Sequence, residues 1–265
     1  MTPLRLGAVS YLNTKPLVYG LDAVPEQFEV RFDVPATCAT LLHEGRVDLG
    51  LIPAIEYLRG AEDYWIVPGV SIASEGEIAS VALFSKVPVA QIHTLALDLS
   101  SRTSVALTRI LCATRWGIAP AFTPADPDLT TMLAGADAAL VIGDPALAID
   151  AAARSLLKVD LGAEWHALTG LPFVYAMWTG RAGIASVVQC RALQQARDSG
   201  VANLQKIASE AGAGDPVREA RSLVYLRDNL KYGLGEREAE GLRRFHELGF
   251  ETGVVAALKP LRFYQ

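Results

Sequence analysis

The chain has 265 residues and a mass of 28.4 kDa, enough to bury a full core as one large domain or two smaller ones. Hydrophobic residues make up 51% and charged residues 20%, which excludes a disordered chain. A formal net charge of −5 and a pI near 5.4 argue against nucleic acid or an anionic membrane as partner, so any anion site must be local.

Met1-Thr2-Pro3 runs directly into a strand at Leu4–Val9, with no charged leader, long apolar segment or cleavage site. No later segment is apolar enough to span a bilayer, and a cytoplasmic protein is expected. Pro16 opens a short helix, where its missing N–H costs nothing. A strand at Phe28–Val34 is followed by a helix over Ala36–Glu44, stopped by Gly45, a buried strand over Asp48–Ile52 and a short helix over Ala54–Arg59. This alternation predicts a parallel sheet with helices on its faces.

Short strands are then predicted at Ile66–Val67, Val70–Ile72 and Val81–Phe84. A second alternation begins at Leu95–Leu97, whose helix, Thr103–Trp116, carries Leu107, Ile110 and Leu111 on one face. A strand at Ala121–Thr123, a helix at Leu129–Leu133 and a strand at Ala138–Ile142 follow; Gly143-Asp144-Pro145 starts another helix. Strands are expected at Leu156–Val159 and Phe173–Trp178. From Ile184 the pattern is helical: Ile184–Ala196, Val201–Ala211, Pro216–Asn229 and Glu236–Leu248. Cys38, Cys112 and Cys190 are odd in number, far apart and set among apolar residues, which reads as buried free thiols of a reducing compartment.

The expected architecture is α/β, with two lobes, mostly parallel sheets and a helical C-terminal segment. Pro-containing connections at Ser85–Val89 and Leu171-Pro172 are the candidate crossings, giving one lobe of residues 1–87 plus 175–265 and another of 88–174. Ligands of open α/β sheets bind beyond the C-terminal strand ends. Three segments lie there: Ser10–Thr14, Ser100–Ser104 and Gly143-Asp144.

The strongest of these is Ser100-Ser101-Arg102-Thr103-Ser104, a hydroxyl-rich turn opening a helix. Free N–H groups of the first turn and the helix dipole favour an anion, and Arg102 adds a planar fork matched to a carboxylate or phosphate. Ser101 or Thr103 capping the helix is the plainer alternative. With Ser10–Thr14 on the other lobe, the cleft suits a small dicarboxylate.

Four runs together closely resemble the chorismate dehydratase family: Val9-Ser10-Tyr11-Leu12-Asn13-Thr14-Lys15-Pro16-Leu17, Ser80-Val81-Ala82-Leu83-Phe84-Ser85, Leu97-Asp98 with Ser100–Ser104, and Ala136–Asp144. The resemblance extends from Leu4 to Leu261-Arg262-Phe263. It implies the two-lobed fold of type II periplasmic solute-binding proteins and removal of water from chorismate, an early step toward menaquinone. The product would be 3-(1-carboxyvinyloxy)benzoate. That chemistry needs no redox cofactor and obliges no metal. The C3 proton is vinylogously acidic, and loss of the C4 hydroxyl makes an aromatic ring.

Ser101, Arg102, Thr103 and Ser104 are candidates to hold one carboxylate, with Arg102 stabilising charge that develops there. Asn13 can donate and accept toward the leaving hydroxyl or the enolpyruvyl group, or it caps its own turn. Ser10, Tyr11 and Ser80 are further binding candidates, Tyr11 with packing as its alternative. The base is open between Asp144, which also suits an N-cap, and the substrate's own enolpyruvyl carboxylate. Glu56 reads as part of a solvated helix face, and His43, His93, His166 and His246 read as surface or capping residues. A solute-binding protein for an anionic metabolite and the related dihydroxynaphthoate synthase are the alternative readings.

Overall fold

The computed structural model describes residues 3–265; Met1 and Thr2, part of the stretch read for a leader, lie outside them. The first half runs β1 (Leu4–Val9), β2 (Phe28–Asp33), α1 (Pro35–His43), β3 (Leu49–Pro53), α2 (Glu56–Arg59), β4 (Tyr64–Ser74) and β5 (Val81–Ser85). Next come β6 (Thr94–Asp98), α3 (Arg102–Leu111), β7 (Ala121–Ala125), α4 (Leu129–Gly135), β8 (Ala138–Ile142), α5 (Gly143–Ala148) and β9 (Leu157–Asp160). The chain closes with α6 (Leu161–Thr169), β10 (Phe173–Arg181), α7 (Val187–Ala202), α8 (Leu204–Gly212), α9 (Pro216–Val224) and α10 (Glu236–Glu251). A 3₁₀ turn, Leu12–Val18, takes the place of the helix expected to open at Pro16, which lies inside it.

The strands form two five-stranded sheets, ordered β2-β1-β3-β10-β4 and β7-β6-β8-β5-β9. Parallel neighbours such as β1 and β3 need a crossover, and α1 supplies it. Each sheet holds one antiparallel strand, β10 in the first and β5 in the second. These are the strands that enter a lobe just after the chain has crossed from the other, so the sheets are mostly parallel and share one plan.

The first crossing differs from the sequence expectation. Ser85–Val89 lies inside the second lobe, because β5 pairs with β8 and β9. The chain leaves the first sheet between Ser74 and Val81, so the second lobe begins before residue 88. Asp160, at the end of β9, fixes this segment: its carboxylate accepts from Ile78 N (3.0 Å) and Ala79 N (2.7 Å) and also from Gly162 N and Ala163 N as the cap of α6. The chain returns to the first sheet through Leu171-Pro172, between α6 and β10.

Two elements depart from the sequence pattern. Ile66–Val67 and Val70–Ile72 belong to one strand, β4, because Pro68 and Gly69 sit in a bulge at the sheet edge, where a missing N–H breaks no ladder. Gln194 Nε2 and Arg197 Nη1 of α7 donate to the carbonyls of Pro68 and Gly69. Helix α6 was not anticipated. Gly162 in its first turn weakens the pattern, yet a Cβ there would lie 2.5 Å from the carbonyl oxygen of Gly76.

Alternation along β5 divides the second lobe's packing. Val81 and Leu83 join the main core, while Ala82 and Phe84 join a smaller one with Met132, Ala139 and Val141. All three cysteines are buried and free, and burial pushes Cys38 and Cys112 up to about 12. Among the described residues, no helix is long and apolar enough to cross a membrane.

Candidate active site between the lobes

A cavity lies between the two sheets, at the ends of β1, β3 and β8. The first lobe contributes Tyr11 and Asn13 from the turn after β1; Ser80 comes from the crossing segment; Ser101 and Ser104 come from the start of α3. Val9, Ile72, Ile142 and the ring of Tyr175 give it apolar walls. Among the described residues that line it, none is charged. Ser101 caps α3 through its Oγ, which accepts from Ser104 N at 3.3 Å and lies 2.9 Å from Ser104 Oγ. The cap therefore places two hydroxyls, one helical turn apart, where the positive end of the α3 dipole meets the cavity.

Ser80 is 1% exposed, and its Oγ accepts a hydrogen bond of 2.8 Å from the hydroxyl of Tyr225. With that lone pair occupied, the Ser80 hydrogen is free to donate into the cavity. Asn13 lies close enough to the Tyr225 hydroxyl to lower its pKa. Burial raises the Tyr225 hydroxyl far above the usual phenol range and outweighs the opposing influence of Ser80 and Asn13, so it remains a neutral donor. Tyr11 closes one side by laying its ring on Gly143. That glycine has φ +68°, and a Cβ on it would sit 2.8 Å from the Tyr11 ring.

Other sequence candidates lie outside this cavity. Ser10 is exposed, and its N–H donates to Asp33 O. Arg102 turns away: Nη1 donates to Glu56 Oε2 at 2.7 Å and Nη2 to Thr40 Oγ1 at 3.2 Å. Thr103 Oγ1 accepts from Ile55 N at 3.2 Å. Asp144 is exposed, and its oxygens accept from Leu12 N at 3.1 and 3.3 Å. Burial raises its pKa, against the Leu12 hydrogen bond and the charges of Arg218 and Lys15. Arg102, Thr103 and Asp144 thus bridge the lobes.

A profile of the menaquinone-biosynthesis family matches residues 4–251. The chain belongs to that family. It is 32% identical to a chorismate dehydratase of Thermus thermophilus, over 93% of this chain and 95% of that one. Solved structures share the fold at low identity. A protein from Archaeoglobus fulgidus superposes with TM-score 0.76 at 15% identity, covering 96% of this chain and 99% of that one. The alkanesulfonate-binding protein SsuA from Xanthomonas axonopodis pv. citri gives 0.68 at 15% identity, covering 96% and 94%. The family member described here thus has the two-lobed architecture of periplasmic binding proteins.

Three residues near the site have roles that the sequence does not show. Tyr225 comes from a π-helical turn after α9, 145 residues from Ser80, and no local pattern announces the pairing. Gly143 stands in the sequence at a helix start on the ligand-binding edge, and its position between a buried strand and a helix is also a signal for close approach. Glu56 is not on a solvated face: its side chain is 3% exposed and holds Arg102, His43 (3.2 Å) and Arg59 (3.2 Å). Burial raises its pKa, but the bonds from His43 and Arg102 and the charges of Arg102 and Arg59 prevail and bring it down to about 2. His246 is a core residue, stacked on Tyr57 with Nε2 3.3 Å from Ala54 O.

Proposed function

We propose that this family member is a hydro-lyase that removes water from chorismate to give 3-(1-carboxyvinyloxy)benzoate. The observation that carries the mechanism is the cavity lining, which offers neutral donors from both lobes and no carboxylate or imidazole. One substrate carboxylate sits at the α3 N-terminus, against Ser101 and Ser104. Asn13 and the free hydrogen of Ser80 orient the enolpyruvyl arm and the C4 hydroxyl. The enolpyruvyl carboxylate takes the C3 proton, and the electron pair delocalises through the ring alkene onto the ring carboxylate. Breaking the C4–O bond aromatises the ring, and the departing hydroxide leaves as water with the proton that the enolpyruvyl carboxylate took from C3.

The site's contribution is preorganised hydrogen bonding to charge as it develops, between apolar walls. Support comes from family membership, from the relative named chorismate dehydratase and from the match between a two-carboxylate substrate and the cavity's donors. We place the activity in the cytoplasm, in keeping with three buried free thiols.

Incubating the purified protein with chorismate and following the mixture by mass spectrometry tests the proposal. A product lighter by one water, with the enolpyruvyl ether retained and aromatic absorbance gained, is expected. Recovery of intact chorismate from a protein that binds it would instead favour a solute-binding role.

A further inference from the structure

The α3 N-terminus has two faces with different partners. Ser101 and Ser104 face the cavity, whereas the three residues between and beside them dock on the first lobe. Ser100 O accepts from Ala36 N at 3.0 Å, Thr103 Oγ1 accepts from Ile55 N, and Arg102 reaches Glu56 and Thr40. Of the partners around Glu56, His43 and Arg59 belong to its own lobe; Arg102 comes from the other.

We propose that Glu56 is a positioning residue for the reaction proposed above, acting through Arg102 to hold the α3 N-terminus against the first lobe, with Ser101 and Ser104 presented to the substrate. A carboxylate withdrawn from water is stabilised only while its partners stay in place, so the pair rewards one relative placement of the lobes. Parting the lobes hydrates Glu56 and removes Arg102 together. The two hydroxyls then leave the opposing wall, and the competent fraction falls. Because apparent affinity scales with that fraction, the pair acts on substrate binding without touching substrate.

The test uses Glu56→Gln, Arg102→Gln and the double variant. Each single change is expected to raise KM for chorismate by about tenfold, within the range of ordinary inter-site coupling, with kcat changed much less. The double variant should be no worse than either single one. Small-angle scattering of the substrate-free variants should show a larger radius of gyration than the parent, with unchanged circular dichroism. Should Glu56→Gln fail to fold, Thr40→Val, which removes only the second partner of Arg102, should give a smaller shift in the same direction.

Additive losses in the double variant, or scattering curves identical to the parent, overturn the proposal. So does an active Glu56→Gln beside an inactive Arg102→Gln, which would return Arg102 to the substrate. The scattering needs no chorismate. If the parent does not turn chorismate over, the proposed reaction falls while the lobe-holding role is still decided.

Discussion

At the level of single residues, Tyr225 and Asn13 make separable contributions. Tyr225→Phe removes the donor that orients Ser80 but keeps the ring, so a drop of about tenfold in kcat with little change in KM is expected in steady-state assays. Asn13→Asp keeps an acceptor, loses the N–H₂ donor and adds a charge beside an anionic substrate. A loss on the order of a hundredfold in kcat/KM is expected, typical of deleting one preorganised donor; near-normal turnover by the folded variant would reduce Asn13 to a turn cap. His246 makes a stability prediction. Burial lowers its pKa from 6.5 to about 4, against the hydrogen bond to Ala54 O. The unfolded chain therefore binds a proton that the folded chain refuses, and stability present above pH 6.5 is lost as pH falls toward 4, by up to about 3 kcal/mol. Urea titrations should show this slope in the parent and a flatter one in His246→Gln. The cavity residues on short motifs, Tyr11, Asn13, Ser101 and Ser104, were legible because strand ends and helix starts mark them locally. Glu56 and Arg102 were visible only as types: their pairing spans 46 residues, and it reverses the reading of both.

Elements were legible where burial imposed a simple period. β1, β6 and β8 appear as apolar runs, and α3 shows its Leu107, Ile110 and Leu111 stripe. The sequence divides β4 in two because Pro68-Gly69 normally ends a strand, whereas an edge position tolerates both. The first crossing was misplaced for a related reason. Pro88 looked like a hinge, while the working restraint is Asp160 collecting four N–H groups from two segments. Asp160→Ala should orphan all four and lower unfolding stability by about 3 kcal/mol or more, measured by chemical denaturation. At the start of α5, Gly143→Ala forces a left-handed φ on alanine and drives a methyl into the Tyr11 ring. A stability loss of about 1–2 kcal/mol is expected, with KM for chorismate raised because Tyr11 must move.

Across the whole molecule, the two lobes repeat one strand order but are threaded differently. Every strand of the second sheet lies between Val81 and Asp160, in one continuous stretch. The first sheet takes β10, starting at Phe173, as an interior strand between β3 and β4. Until that strand exists, β3 and β4 have no shared partner, and Leu51, Ile52 and Ile72, buried in the finished molecule, line an open slot. Chain emerging from the ribosome can therefore complete the second lobe while the first waits for its interior strand. Contacts local in sequence form sooner than those that close long loops. Pulse-labelling hydrogen exchange during refolding should protect β5, β6 and β8 amides before those of β3 and β4; the reverse order would contradict this. The late insertion of β10 also leaves two apolar strand edges exposed on the nascent chain, which makes the first lobe the part that most needs shielding during synthesis.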